Sequence, residues 1–146
     1  MRPDRMEKRL SFQIAPDFKN VDRVRTALGR FLSENYRGPE AASRTDEISL
    51  AATEAMNNAV EHSGADQVEI EVFADEAMVV FQIITKGKQF DPTMPVSMPV
   101  LGDGKELQEG GFGLAIIREL VDDLKYRYVE GKNIMTFFKK IKDKNG

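Results

Sequence analysis

One short stretch of the chain gathers residue types that can do chemistry. "TEAMNNAVEHSG" holds Glu54, Asn58 and Glu61 at spacings i, i+4 and i+7, and it contains the chain's single histidine. If the stretch is helical, these three side chains line up at the edge of an apolar face. A carboxylate can act as a general base, and a carboxamide oxygen can ligate Mg²⁺. The alternative interpretation is a solvated helix face, which is what acidic stripes usually are.

A second candidate segment is "EGGFGLAII", from Glu109 to Ile117, in which three glycines precede a predicted helix. The first backbone N–H groups of a helix have no partner within it and favour an anion, so the segment suits phosphate oxygens. It lacks the Walker A pattern, and no strand directly precedes it as in a dinucleotide-binding fingerprint. A glycine-rich connector that needs positive φ explains these residues equally well.

A third candidate segment, "TKGKQFDP" from Thr85 to Pro92, follows a predicted buried strand. Gly87 has no side chain and would let a flat ligand approach the backbone, and Phe90 would pack beneath that ligand. The same residues also suit an ordinary turn at the end of a strand. None of the three segments identifies a function by itself.

The elements that must position these segments follow from the apolar periodicity. Alternating or continuous apolar residues predict strands at about 10–14, 67–74, 77–85, 125–129 and 133–140. Helical spacing predicts a helix from an Asn20 cap to "RGPE", a second at about 42–62 ended by Ser63-Gly64, and a third at about 113–124. Hairpins with three helices between them indicate an α+β fold, a two-layer sandwich with helices on one face of a mixed, mostly antiparallel sheet. A doubly wound fold fits less well.

Composition limits the classes of protein. The length of 146 residues fits one domain, 1–146 with a core at about 8–141, and the 41% apolar and 31% charged residues are those of a soluble globular protein. The absence of cysteine excludes disulfides and thiolate sites and suits a reducing cytoplasm. No secretion signal and no apolar run of about 20 residues is seen, which argues against a membrane. A net charge of -3 with intermixed signs argues against direct nucleic-acid binding.

The order and spacing of the three segments are more specific than any one of them. Glu54, Asn58, Ala59 and His62 form the pattern E-x-x-x-N-A-x-x-H, followed by G-x-x-F-D-P, a loop, G-G-x-G-L-x-I and "GKNIMTFFKK". This series resembles the histidine-kinase-like ATP-binding fold, also called GHKL or Bergerat, over about residues 10–140. Within it, the sequence looks most like the anti-sigma-factor serine/threonine-protein kinases of bacterial partner-switching systems.

The resemblance implies roles for individual residues. Glu54 matches the family's general base, and Asn58 matches the ligand that joins Mg²⁺ to the triphosphate. His62 completes the same motif near the nucleotide, and Gly87 matches the glycine beneath adenine. The remaining matched positions are Gly111, Gly113 and Leu114 on the phosphate side, and Thr136, which would reach adenine through water.

One position departs from the family pattern D-x-G-x-x-F-D-P. The first aspartate of that pattern accepts the exocyclic amine of adenine, and this chain has Thr85 there, while Asp91 belongs to the later F-D-P part. A threonine hydroxyl can accept the same hydrogen bond but carries no charge, and a weakened contact would lower binding by about 1–3 kcal/mol. Residues 92–109 match the lid over ATP, and Lys105 within it is either a γ-phosphate contact or a solvated lysine.

The resemblance therefore implies a protein that binds ATP and Mg²⁺, phosphorylates an anti-anti-sigma (STAS-domain) protein and sequesters a sigma factor, often as a homodimer. The presence of Glu54 favours an enzyme. Thr85 supports the alternative of a regulatory binding module of the same fold with a weakened nucleotide site. A third possibility, a plain ATPase, needs only a water in place of the partner's hydroxyl.

Overall fold

Five strands and three helices lie within residues 6–90 and 109–141, which are the residues that the computed structural model describes. The strands are β1 (Lys8–Ile14), β2 (Val68–Ala74), β3 (Met78–Lys86), β4 (Asp123–Val129) and β5 (Lys132–Lys140). The helices are α1 (Phe18–Asn35), α2 (Pro39–His62) and α3 (Glu109–Leu120). Every strand and helix predicted from the sequence is present.

The strands form one sheet in the order β1-β2-β3-β5-β4. The predicted α+β class is confirmed, and each of the four pairings between the described strands is antiparallel, so none of them is the parallel pairing of a mixed sheet. Because side chains alternate along a strand, the pairing register sorts every residue of the sheet onto one of two faces. One face meets the helices, and β2 shows it clearly: alternate residues from Val68 to Ala74 are fully buried.

The core lies between this face and the helices. Val72, Phe81 and Phe137 stand side by side across β2, β3 and β5, and the two phenylalanine rings stack with their centroids 4.9 Å apart. The central helix α2 packs against α1, α3 and the sheet. Four buried alanines, which have short side chains, let its backbone pack closely against the neighbouring elements: Ala51, Ala52, Ala55 and Ala59.

The first two helices begin earlier than predicted. Asp17, not Asn20, caps α1: its extended backbone precedes the helix, and its carboxylate accepts a hydrogen bond from Lys19 N at 2.8 Å. α2 begins at Pro39, whose fixed φ suits the first turn of a helix. It ends as predicted, with Gly64 at a φ of 66°. None of the described helices is both long and apolar enough to span a bilayer.

The third helix occupies a different range from the predicted 113–124. It begins at Glu109, so the three glycines lie within the helix instead of preceding it. Glycine lowers helix propensity by about 1 kcal/mol per residue, but it does not prevent a helix that packs against a neighbour, here α2. The helix ends at Leu120 because Asp122 pairs with β5: its N–H donates to Phe138 O at 2.9 Å, and its carboxylate accepts from Lys140 N at 2.6 Å.

Candidate functional site

A cleft opens between α2 and the ends of β3, β4 and β5. Its cavity volume is about 20 Å³, and the empty space reaches about 290 Å³ when the open mouth and adjoining solvent are included. Its lining is mainly apolar with a few polar groups, which is typical of small-molecule sites. The lining residues are Ala55, Asn58, Ala59, Ile83, Thr85, Phe90, Tyr126, Asn133 and Met135.

Asn58 supplies the polar group on the α2 side of the cleft. It is only 6% exposed and lies between the buried Ala55 and Ala59, so it is not part of a solvated helix face. No described residue forms a hydrogen bond with its amide. Because no described side-chain N or O atom is fully enclosed without a partner, this amide reaches the open cleft. Buried amides are normally paired, and an unpaired one facing a cleft is suited to a ligand.

Thr85 supplies a hydroxyl on the β3 side of the cleft, and it too is a buried residue whose polar group has no described partner. Its register places it between Val68 and Asn133, on the face that meets the helices, and it is 5% exposed. Within the described part of the chain, no group is hydrogen-bonded to its hydroxyl. The cleft thus presents an unpaired amide and an unpaired hydroxyl between apolar walls, which suits a flat heterocycle with polar edges.

Asn133 lies next to Thr85 on β5 but is fully hydrogen-bonded. Its Oδ1 accepts from Phe90 N and from the Tyr126 hydroxyl, both at 2.6 Å. Its Nδ2 donates to the carbonyl oxygens of Lys88 at 3.0 Å and Thr85 at 3.4 Å. These four bonds use the whole hydrogen-bonding capacity of the amide. Asn133 therefore ties the segment 85–90 to the end of β5 and shapes the cleft.

Gly87 lies in the middle of that segment, which the β4–β5 hairpin also holds. Gly87 N donates to Gly131 O at 2.9 Å, and the Tyr128 hydroxyl donates to Gly87 O at 2.7 Å. Its φ of 140° strongly favours glycine, whereas no atom lies within 4 Å of the position of an added Cβ. The backbone conformation, not a lack of space, requires glycine here.

Glu54 and His62 lie beside the cleft and do not line it. Glu54 precedes Asn58 by one helical turn and is half-buried, with no ion pair or hydrogen bond to any residue in the described ranges. His62 is exposed; its Nε2 lies 3.3 Å from a Glu61 carboxylate oxygen, and its ring centroid is 6.2 Å from that of Phe90. Glu54 is therefore not engaged by another described residue, and His62 lies near the cleft residue Phe90.

Gly111, Gly113 and Leu114 lie on α3, which packs along α2. The N–H groups of the first turn of α3 are the ones that would face an anion. The role of these residues toward phosphate stays a prediction. Asp91, Lys105 and the predicted lid at 92–108 lie outside the described residues, and Glu109 is the first residue of α3.

Thr136 is not brought to the cleft, and its predicted contact with adenine is wrong. Asn133, Met135 and Phe137 are the residues of β5 on the helix-facing side. Thr136 lies between two of them in sequence and therefore on the opposite face, where its hydroxyl accepts a hydrogen bond from Gln82 Nε2 at 3.2 Å. Side chains alternate with a period of two, so an error of one position moves a side chain through the sheet.

Asn133 and Tyr126 are site residues that the sequence analysis did not single out. Asparagine is depleted in strands, so an asparagine within the predicted last strand was a usable signal. The face on which it lies depends on a register with β3, which is more than 40 residues away in the chain. Tyr126 carried no local signal, since aromatic residues are common in strands.

The cleft fits Mg²⁺ only together with a ligand that brings its own oxygens. No group of three or more His, Cys, Asp or Glu residues suited to a metal is found among the described residues. The unpaired amide of Asn58 offers one hard oxygen donor. Mg²⁺ commonly takes one or two protein ligands and completes its shell with phosphates and water.

Comparison with known proteins places this geometry in context. Residues 14–139 match the sequence model of the histidine kinase-like ATPase domain. The serine/threonine-protein kinase BtrW of Bordetella bronchiseptica is 29% identical over 93 residues, which cover 61% of this chain and 66% of that protein. A crystal structure of the RsbU and RsbW domains of Rv1364c from Mycobacterium tuberculosis matches with a TM-score of 0.59 and 20% identity. That match covers 91% of this chain and 32% of the other, and it shows a shared fold.

Proposed function

Since the chain belongs to the histidine kinase-like ATPase domain family, we propose that it is an ATP- and Mg²⁺-dependent protein serine/threonine kinase of the anti-sigma-factor type. The observation that carries the proposal is the pair of buried, unpaired polar side chains, Asn58 and Thr85, in an apolar cleft. The name of the Bordetella relative, a serine/threonine-protein kinase, supports the reaction type.

The adenine ring would lie in the cleft with its exocyclic amine toward Thr85. The hydroxyl accepts that hydrogen bond, and Ile83 and Met135 supply apolar walls for the ring. Gly87, in the segment held by Asn133, leaves the backbone accessible. A neutral acceptor is weaker than the carboxylate of the family pattern, so ATP affinity is expected to be moderate.

The phosphates would lie between α2 and the start of α3. Asn58 would hold Mg²⁺ through its amide oxygen, and the ion, when bound, would neutralise charge on the phosphates. The first backbone N–H groups of α3, with Gly111, Gly113 and Leu114 in the same part of the helix, donate to phosphate oxygens. His62, in contact with Phe90, bounds the site on one side.

Glu54 would act as the general base. It lies one turn from Asn58 on the same helix and is not engaged by another described residue. Its carboxylate would take the proton from the serine or threonine hydroxyl of the protein substrate as that oxygen attacks the γ-phosphorus, while the bond from this phosphorus to the bridging oxygen breaks and ADP leaves. The substrate is an anti-anti-sigma protein of the STAS class, and the second partner is a sigma factor that the kinase sequesters. We place this exchange in the cytoplasm, between copies of a homodimer and their partners.

The first test is calorimetric titration of the purified protein with Mg-ATP, with Mg-GTP as the control ligand. Micromolar ATP binding is expected, with GTP much weaker, because GTP lacks the exocyclic amine at that position. Thr85→Val, which removes the hydroxyl at constant size, is expected to weaken ATP by about 5- to 150-fold. Absence of wild-type binding, together with binding by Thr85→Asp, would instead show a partner-binding module with a disabled nucleotide site.

A second test separates binding from catalysis. Glu54→Gln is expected to abolish phosphate transfer to a STAS-domain protein from the same organism while ATP affinity stays within about 3-fold of wild type, because the amide cannot accept the proton. Equal loss of binding and transfer would contradict the role of general base. Phosphate release without a protein substrate at a similar rate would favour a plain ATPase.

A further inference from the structure

The last motif of the sequence, "GKNIMTFFKK", ends in two lysines that the proposed function does not use. Because side chains alternate along β5, the two lie on opposite faces of the sheet. Lys140 is exposed. Lys139 lies on the face that meets the helices, in register with the buried Val79, and its side chain is only 12% exposed. A lysine is rarely buried to this extent unless it has a partner.

Lys139 joins two helices at the end of the sheet that lies away from the cleft. Its Nζ donates a hydrogen bond to a carboxylate oxygen of Glu47 on α2 at 3.0 Å. The same Nζ donates to the carbonyl oxygen of Leu120, the last residue of α3. The carbonyl end of a helix carries partial negative charge, so a cation is favourable there. One ammonium group therefore ties β5, α2 and α3 to one another.

Stability alone does not account for a charged group at this position. The two preceding residues on the same face of β5, Met135 and Phe137, belong to the apolar core. Moving charges out of water costs free energy, and apolar side chains of similar volume often stabilise a fold equally well. A charged donor adds direction, because its hydrogen bonds require acceptors at defined distances and angles. The interaction of Lys139 is thus suited to aligning α2 with α3.

The helix α3 runs from this end of the sheet back toward the cleft. It ends just before Asp123, which pairs with Phe138 at the end of β5 away from the cleft. On the other helix, α2 begins at Pro39, only about two turns before Glu47. A helix of 12 residues that packs along α2 therefore runs toward Asn58. Its length is about 18 Å, so its first turn lies near the level of the cleft.

The tilt of α3 decides whether that first turn can meet phosphate oxygens. An N–H group forms a hydrogen bond only within about 2.7–3.2 Å of its acceptor. A tilt of about 10° around the last turn of α3 moves the first turn by about 3 Å, which is enough to break such bonds. A displacement of about 1 Å can already lower a reaction rate about 100-fold.

We propose that Lys139, together with Glu47, is a positioning residue that sets the tilt of α3 and thereby the affinity for the phosphates of ATP. Lys139 does not line the cleft and acts through the helix. This inference rests on the proposed function, because it takes the phosphates to lie at the start of α3.

Two ligands separate this role from a general loss of stability. Lys139→Met keeps the length and the apolar stem of the side chain but loses both hydrogen bonds. ATP is expected to bind this variant about 10-fold more weakly than wild type. Adenosine, which has the base and no phosphates, is expected to keep its affinity within about 2-fold. A merely structural role would weaken both ligands alike.

Three further variants complete the comparison. Lys139→Arg keeps the charge and the donors and is expected to retain most of the ATP affinity. Lys140→Met, at the exposed neighbouring position, is the matched control and is expected to bind both ligands as wild type does. Glu47→Gln removes the charge from the other half of the pair and takes the place of Lys139→Met if that variant does not fold.

Hydrogen exchange of the nucleotide-free protein tests the alignment directly. Backbone amides of α3 are expected to exchange at least about 10-fold faster in Lys139→Met than in wild type, while those of α1 stay within about 2-fold. Unchanged exchange in α3, unchanged ATP affinity, or equal weakening of ATP and adenosine would overturn the proposal. Failure of the proposed function has a different signature: wild type itself would bind no ATP, while faster exchange in the variant would still show that Lys139 aligns α3.

Discussion

The two ends of the sheet treat buried polar side chains in opposite ways. At the cleft end, Asn58 and Thr85 are buried without a hydrogen-bond partner among the described residues. At the other end, Tyr36 is 8% exposed, and its hydroxyl donates to the carbonyl of Asp75 at 2.5 Å, with that of Met78 at 3.2 Å. The Asp75 carboxylate in turn accepts from the N–H groups of the same turn.

The difference separates a residue that holds the fold from residues whose polar groups are left available to a ligand. No described side-chain N or O atom is fully enclosed without a partner, so the amide of Asn58 and the hydroxyl of Thr85 remain accessible from the cleft to another molecule. Burial alone does not distinguish the two ends, because all three side chains are at least nine-tenths buried. The presence or absence of a hydrogen-bond partner within the described part of the chain distinguishes them. Asn133 lines the cleft as Asn58 and Thr85 do, but its amide is fully paired as the Tyr36 hydroxyl is.

The largest effect is expected for Asn58→Ala. Loss of the side chain that would ligate Mg²⁺ should weaken Mg-ATP binding by at least about 100-fold. Residues that only hydrogen-bond to a metal-ligating side chain already change metal affinity by about 10- to 100-fold. The free energy of unfolding should change by less than about 1 kcal/mol, because no protein hydrogen bond is lost and alanine favours the helix. Calorimetry and urea unfolding measure the two quantities.

The neighbouring Asn57→Ala is the matched control for this variant. Asn57 is half-buried on the same helix and does not line the cleft, so its substitution should leave ATP affinity unchanged. A drop in stability of more than about 2 kcal/mol in Asn58→Ala would show that its amide is structural after all.

Asn133→Asp is expected to lower both the free energy of unfolding and the affinity for ATP. The isosteric carboxylate cannot donate to Thr85 O or Lys88 O, so the variant should unfold about 1–3 kcal/mol more easily. It should also bind ATP roughly 10-fold more weakly, because the segment 85–90 is no longer held in place. Tyr126→Phe, which removes one hydrogen bond to Asn133, should lower stability and ATP affinity by less. Full ATP affinity in a destabilised Asn133→Asp would limit this residue to a structural role.

Tyr36→Phe is expected to affect stability alone, by about 1–2 kcal/mol at pH 7, through loss of the hydroxyl's hydrogen bond. Burial, together with the charge of Asp75, raises the pKa of Tyr36. The folded state therefore holds the phenolic proton more tightly than the unfolded state does. This contribution is present below the unfolded pKa of about 10 and is lost as the pH rises above it. The free energies of unfolding of wild type and Tyr36→Phe, measured with urea, should therefore converge in strong alkali. A changed ATP affinity in Tyr36→Phe would contradict the contrast between the two ends of the sheet.

The smallest effect is expected for Arg9→Gln on the exposed face. Burial opposes ionisation of Glu71, but hydrogen bonds from Arg9 and Ser11 outweigh it, and the pKa of Glu71 lies below its ordinary value. The stabilisation is therefore present above the unfolded pKa of about 4.3 and is lost as the pH falls through the lower folded value. An exposed pair of this kind contributes little to stability, because water and salt screen it. The thermal unfolding temperatures of wild type and Arg9→Gln should differ at pH 7 but not near pH 2. A difference that persists in acid would require another cause.

Local patterns were sufficient for most of the fold. Strict alternation and helical spacing identified all eight elements, and Gly64 ended α2 as its position indicated. The errors lie where two local signals compete. Asn20 and Asp17 are both good caps, and only Asp17 precedes the first helical residue. "VDD" after Leu120 is compatible with a helix, but pairing of Asp122 with β5 outcompetes one more turn.

The sequence by itself determined the family, the order of the segments and the identity of Glu54, Asn58, Thr85 and Gly87 as candidates, because motif spacing and turn chemistry are local properties. Only the tertiary structure decided that Asn133 and not Thr136 reaches the cleft, since the face of a strand residue depends on register with a distant strand. It also decided which polar groups are unpaired. Pairing is a property of residues that meet across the fold, as Thr85 and Asn133 do.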